Sequence, residues 1–206
     1  MVNRRMILAL TAEKLACARG ERLLFEDLSF QIAAGGALAV EGANGAGKTS
    51  LLRLIAGFLL PRAGKILLKT DSGENEDSEE RGKFVGWFGH QDGLKPQLTV
   101  IEQLAFFAKL YRGASNCEPV LEEVGLKRQR DFPCRFLSAG QKRRLALARL
   151  MLAARPLWLL DEPFAALDSD GEALMARAMA RHCAGGGFVI AATHGKLGLG
   201  NASIRL

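Results

Sequence analysis

The residues Gly42-Ala43-Asn44-Gly45-Ala46-Gly47-Lys48-Thr49 fit the pattern G-x-x-x-x-G-K-[ST]. They follow the apolar run Ala37-Leu38-Ala39-Val40 and open the amphipathic stretch Thr49-Ser50-Leu51-Leu52-Arg53-Leu54-Ile55. A strand, a glycine loop and a helix in that order are the context in which the pattern carries a mechanism. Gly42, Gly45 and Gly47 let the backbone bend so that successive N–H groups converge on phosphate oxygens, and the helix N-terminus reinforces them. In such a loop the lysine, here Lys48, neutralises the β- and γ-phosphates, and the Thr49 hydroxyl is a ligand for Mg²⁺. The segment predicts a nucleoside triphosphate site in an α/β fold.

Two nearly unbroken apolar runs lie further along, Leu157-Trp158-Leu159-Leu160 and Phe188-Val189-Ile190-Ala191-Ala192. Runs of this kind fit parallel strands covered by helices on both faces. The first ends in Asp161-Glu162-Pro163. An acid at the carboxyl end of a buried strand beside a phosphate loop supplies Mg²⁺ with a ligand, directly or through water, which assigns Asp161. Glu162, one residue on, points differently and is placed to accept a proton from attacking water. The second run ends in Thr193-His194, where the imidazole can hydrogen-bond a γ-phosphate and sense its loss. Gln91 follows the strand candidate Phe84-Val85-Gly86-Trp87-Phe88-Gly89; its amide can reach Mg²⁺ or the attacking water, and it sits at a hinge between two parts of the fold.

Leu137-Ser138-Ala139-Gly140-Gln141 precedes the basic, apolar stretch Lys142 to Arg149. Ser138 and Gln141 make a capping box, and the same geometry offers open backbone N–H groups to an anion. Nothing makes this site face the phosphate loop of its own chain. In a head-to-tail dimer, Ser138 and Gly140 of one copy would close over the nucleotide of the other.

Before the loop, short extended runs (Leu8–Leu10, Leu23–Phe25, Leu28–Ile32) and the turn at Gly35-Gly36 predict an antiparallel sheet. Asp71 to Arg81 is acidic, contains no apolar residue, and reads as an exposed, mobile loop. Thr99 and Glu102 form a capping box for a helix through Tyr111, and Glu118 to Val124 reads as a second helix stopped at Gly125. These helices form an insert between strands of the core, spanning about residues 92–140 of one 206-residue domain.

With 49% hydrophobic and 24% charged residues, the composition is that of a globular protein, and a net charge of +6 permits but does not require acidic partners. No apolar run approaches the roughly 18 residues of a membrane span, and the segment Met1–Leu10 is too short in its apolar part for a secretory leader. A membrane role therefore comes through a partner. The four cysteines lack metal-binding spacing and read as reduced thiols.

In order, GANGAGKT, Gln91, LSAGQ, LLDEP, AALD and His194 resemble the complete motif set of an ABC-transporter ATPase subunit, over essentially the whole chain. The resemblance implies a P-loop NTPase core with an N-terminal antiparallel β region and a small helical subdomain. It places ATP on Gly42, Ala43, Asn44, Gly45, Ala46, Gly47, Lys48, Thr49 and Ser50, and on Ser138, Gly140 and Gln141 of a second copy. It assigns catalysis to Lys48, Gln91, Glu162 and His194, and Mg²⁺ to Thr49, Gln91 and Asp161. Asp168 resembles the residue that crosses the dimer, and an integral membrane permease would dock near Gln91.

Finer features, among them Gly89-His90-Gln91 and DEPFAALDSDG, are similar to the branch of that family serving c-type cytochrome biogenesis. That branch implies a permease of a cytochrome c maturation complex, haem export or release of a haem-loaded chaperone, and a peripheral position on the cytoplasmic face of a bacterial inner membrane. Another small exporter, or a regulator acting on nucleic acid or ribosomes, are the alternatives; no nucleic acid is expected. Two departures stand out: Ala139 replaces the usual first signature glycine, and Arg19 stands where many relatives stack an aromatic on adenine. A planar guanidinium can also stack on a base.

Overall fold

The computed structural model describes residues 7–111, 116–194, 197–198 and 202–206. Two sheets organise them. The first is antiparallel, ordered β2-β1-β4-β5, from β1 (Ile7–Arg19), β2 (Arg22–Ala33), β4 (Ala63–Thr70) and β5 (Gly73–Asn75). The second is parallel, ordered β6-β7-β8-β3-β9, from β3 (Ala37–Glu41), β6 (Val85–Phe88), β7 (Leu157–Asp161), β8 (Phe188–Ala192) and β9 (Ala202–Arg205).

The antiparallel expectation is met, but by one long hairpin rather than short runs. β1 and β2 pair from Ala9↔Ala33 to Arg19↔Arg22 and turn at Gly20-Glu21. Register slips in β1 and left-handed residues at Lys14 and Asp27 interrupt the alternation, so the sequence pattern looks fragmented. Gly35-Gly36 is not the hairpin turn. It carries the chain from the antiparallel into the parallel sheet, with Gly35 N–H donating to Gly187 O at 3.1 Å. Gly64 permits the β1–β4 approach: φ is +81°, and a Cβ there would lie 2.3 Å from the carbonyl oxygens of Glu13 and Lys14.

β7 and β8 are buried at every residue, as their unbroken apolar runs require. Helix α1 (Lys48–Ala56) packs on one face of these strands, where Leu51, Leu52, Leu54 and Ile55 are fully buried. Each such side chain contributes about 1.5–3 kcal/mol by leaving water. On the other face lies a second core built by α3 (Val100–Leu110), α4 (Glu118–Glu123), α5 (Ala139–Ala153) and α6 (Ser169–Ala184). Between β6 and β7 the chain runs through α3, α4, two single 3-10 turns and α5. The Thr99 capping box is complete, with Glu102 N–H donating to Thr99 Oγ1 at 3.3 Å and Thr99 N–H donating to Glu102 Oε2 at 2.8 Å.

The acidic segment departs from expectation. Rather than a mobile loop, it holds β5, paired with β4, and helix α2 (Ser78–Gly82), capped by Asp77 Oδ1 accepting from Glu79 N–H at 2.8 Å. Arg81, only 4% exposed, explains the order. Its Nε donates to Ile55 O at 2.7 Å and its Nη atoms donate to Leu54, Ile66 and Glu76 carbonyls at 3.2–3.4 Å. One guanidinium thus ties carbonyls in the last turn of α1 to those of Ile66 and Glu76, a polar fixation that hydropathy does not register.

Candidate functional site

The phosphate loop joins the end of β3 to the start of α1. Gly42, Gly45 and Gly47 have φ of 152°, 80° and 111°. At Gly47 the backbone demands glycine and space is tight as well, because a Cβ would lie 3.1 Å from Phe25 Cδ1 and 3.2 Å from Leu24 Cβ of the hairpin. Gly47 caps α1 with no side-chain hydrogen bond, and the first turn carries no acid, which leaves its N–H groups for an anion.

Lys48 is 8% exposed, and its ammonium donates to Gly42 O at 2.8 Å and Ala43 O at 3.3 Å. The same Nζ lies 3.3 Å from His194 Nε2. His194 reaches this place because Thr193 N–H, just past β8, donates to Val40 O at 3.1 Å and draws the chain over the loop. Its Nε2 is also 3.4 Å from Glu162 Oε1. A single imidazole nitrogen serves only one neighbour at a time: bare, it accepts from Lys48; protonated, it donates to Glu162.

Thr49 Oγ1 lies 3.1 and 3.0 Å from Asp161 Oδ1 and Oδ2. Asp161, 6% exposed, ends β7 opposite Ala192 of β8. One buried carboxylate beside one hydroxyl fits Mg²⁺, which takes one or two protein oxygens and completes its shell with water and phosphate. Among the described residues no cluster of three His, Cys, Asp or Glu could hold a metal alone.

Glu162 leaves the strand by adopting φ of 50°, left-handed for a residue with a side chain, at a cost of about 1–3 kcal/mol. Its N–H donates to Ala192 O at 3.0 Å, and its carbonyl accepts from Arg143 Nη2 at 2.7 Å. This kink separates the carboxylate of Glu162 from that of Asp161 and turns it toward His194.

The structure therefore gathers Lys48, Thr49, Asp161, Glu162 and His194 at one end of the parallel sheet. It does not bring Gln91 to them. Gln91 is exposed, and its side chain makes no hydrogen bond among the described residues. Ser138, Gly140 and Gln141 lie at the start of α5, where Ser138 caps the helix, and among the described residues no hydrogen bond from them reaches the phosphate loop. Asp168 caps α6 through Gly171 N–H at 2.8 Å and accepts from Arg144 Nη2, also at 2.8 Å. The Arg144 bond, ahead of the Gly171 N–H, holds its carboxyl below the usual carboxylate range. Arg19 is exposed at the hairpin tip.

Sequence reasoning missed Arg143. It is 5% exposed, linked to Gly89, Asp92 and Glu162, with its guanidinium 4.0 Å from the Phe88 ring centre. Burial pushes its pKa down, against the opposing pull of Asp92. Within Lys142-Arg143-Arg144 nothing local distinguishes the buried cation from its half-buried neighbours.

An ABC transporter family model matches residues 25–165, and the chain belongs to that family, whose members are ATP-binding ATPases. Among its relatives, the cytochrome c biogenesis ATP-binding export protein CcmA of Rhodopseudomonas palustris strain HaA2 is 46% identical over 96% of this chain and 97% of its own. The protein of the same name from Pseudomonas putida strain GB-1 is 49% identical over 92% and 90%. The fold resembles a Pyrococcus furiosus putative ABC transporter ATP-binding protein, with TM-score 0.84, 23% identity, and coverage of 96% of this chain and 97% of that one. It also resembles the ATP-binding cassette MJ0796, solved as a dimer in a post-hydrolysis state with ADP and Pi, with TM-score 0.76, 25% identity, and coverage of 90% and 88%.

Proposed function

We propose that this chain is the ATP-hydrolysing subunit of an ABC transporter complex for c-type cytochrome biogenesis, coupling ATP turnover to a membrane permease. The observation that carries the catalytic part is the convergence of Lys48 Nζ, His194 Nε2 and Glu162 Oε1 within 3.3–3.4 Å at the mouth of the phosphate loop. The near full-length similarity to CcmA proteins supports the cellular role.

In this reading the loop N–H groups and Lys48 bind the β- and γ-phosphates, and Thr49 with Asp161 holds Mg²⁺. When bound, the metal withdraws charge from the phosphate oxygens. Glu162 takes a proton from water as the water oxygen bonds to the γ-phosphorus; the bond to the bridging oxygen breaks, and ADP leaves with its electron pair. His194, protonated at Nε2, donates to the γ-phosphoryl oxygen and so registers its departure. Gln91 joins when its loop moves inward. Ser138, Gly140 and Gln141 of a second copy close over the nucleotide, and the helical segment of about residues 92–140 passes the motion to the permease.

Among the described residues no helix is long and apolar enough to cross a membrane, which suits a peripheral subunit on the cytoplasmic face of a bacterial inner membrane. The test is complementation. Cells lacking this chain regain haem attachment to c-type cytochromes with the parent gene but not with Glu162→Gln, and the chain co-purifies with a multi-span membrane protein. Haem attachment that persists in the deletion strain rejects the cytochrome role.

A further inference from the structure

We propose that Arg143 is a positioning residue that fixes the general base and the Gln91 loop to the helix carrying the signature sequence. This rests on the reading of Glu162 as the base. Arg143 stands in the second turn of α5, four residues beyond Ala139, the first residue of that helix. Its Nη2 donates to the carbonyl of Glu162 at 2.7 Å. Its Nη1 donates to Gly89 O at 2.7 Å and lies 3.3 Å from Asp92 Oδ1. Gly89 and Asp92 bracket Gln91, so one planar group spans the strand end bearing the base and both sides of the loop bearing the amide. Arg149, further along the same helix, donates to Asp92 O at 2.7 Å and secures the far side of that loop.

A guanidinium buried only for packing would be poorly matched to its surroundings. Burial costs a cation its hydration, and Arg143 Nε finds no partner among the described residues. The fork geometry explains what is gained. Two donors held in one plane set two carbonyls at a fixed spacing, which a single point charge cannot do. The carbonyl so held belongs to the residue with left-handed φ, so Arg143 favours the strained conformation that turns the Glu162 carboxylate toward His194. Movement of the signature helix on dimer closure would then shift the base and Gln91 together.

The experiment compares Arg143→Gln, Arg143→Lys, Glu162→Gln and the Arg143→Gln/Glu162→Gln double variant in the full chain, assembled with its membrane partner. Single-turnover phosphate release, ATP affinity and Tm are measured for each. Arg143→Gln is expected to slow release about 10- to 100-fold, the effect of a misplaced catalytic group, with ATP affinity within about threefold of the parent. Arg143→Lys restores part of the rate, because it keeps the charge but not the fork. In the Glu162→Gln background, Arg143→Gln is expected to add a smaller loss than it causes alone, since the part of its effect that runs through Glu162 is already gone.

Parent-like release in Arg143→Gln, an equal loss in ATP affinity, or a fully multiplicative loss in the double variant overturns the proposal. Should Arg143→Gln fold poorly by its Tm, Arg143→Lys is judged by rate and affinity in the same way. The underlying reading is separable, because Glu162→Gln turning over at the parent rate removes the base itself. A slow Glu162→Gln beside a parent-like Arg143→Gln removes only the positioning role.

Discussion

Thr49 Oγ1 stands 3.0–3.1 Å from both carboxylate oxygens of Asp161, joining the first turn of α1 to the end of β7. Both elements pack tightly, so neither group can retreat from the other. Asp161→Asn preserves an oxygen for the Thr49 hydroxyl but removes the charge. It is expected to weaken the Mg²⁺ dependence of ATP turnover about 10- to 100-fold while leaving Tm at or above the parent value, since an unneeded buried charge is gone. Magnesium titration of phosphate release, with a thermal melt alongside, checks both parts.

Gly64 and Gly186 both have positive φ, 81° and 83°, but differ in surroundings. At Gly64 a Cβ meets two backbone oxygens, whereas at Gly186 nothing among the described residues lies within 4 Å. Gly186→Ala should cost about 1–2 kcal/mol, the left-handed penalty alone. Gly64→Ala should cost more than about 3 kcal/mol and shift the urea midpoint accordingly, because β1 and β4 must part. Equal midpoints in the two variants would contradict the steric account.

Arg81 tests whether polar capping orders the acidic segment. Arg81→Met keeps much of the volume but leaves carbonyls of Leu54, Ile55, Ile66 and Glu76 without this donor. A loss of about 2–4 kcal/mol follows. Proteolysis between residues 71 and 82 should accelerate in this variant and not in Glu79→Gln, whose side chain is exposed.

These cases show what the sequence made legible. The phosphate loop, the two buried strands and both capping boxes are local patterns, closed within a few residues, and each appears where its pattern stands. Arg81 and Arg143 are different, because each works through carbonyls 26 and 54 residues distant, a pairing no local spacing encodes. Gln91 falls between: its position after β6 was legible, but its side chain stays outside the gathered site. The long hairpin was obscured by its own bulges, and β9, a short edge strand at Ala202–Arg205, carried no signal strong enough to separate it from a tail.

Acid should loosen α3 through its cap. Thr99 N–H, then the Thr99 hydroxyl, hold the Glu102 carboxyl below its ordinary value. A group whose folded pKa is depressed contributes stability above its unfolded pKa and loses it as pH falls through the folded value. Amide exchange at Thr99 is therefore expected to rise below about pH 4, and Glu102→Gln, uncharged throughout, should abolish that rise. An identical pH profile in the variant would detach the cap from this ionisation.

The contact of Leu24 and Phe25 with Gly47 makes the β1–β2 hairpin the roof of the phosphate loop. Whatever steadies the floor must steady the roof, because linkage runs equally in both directions. A bound triphosphate should therefore shield amides along the hairpin from deuterium, including those too distant to touch it, and a loosened hairpin should let nucleotide escape faster. The N-terminal strands, which contribute none of the five groups gathered at the site, become a gauge of its occupancy.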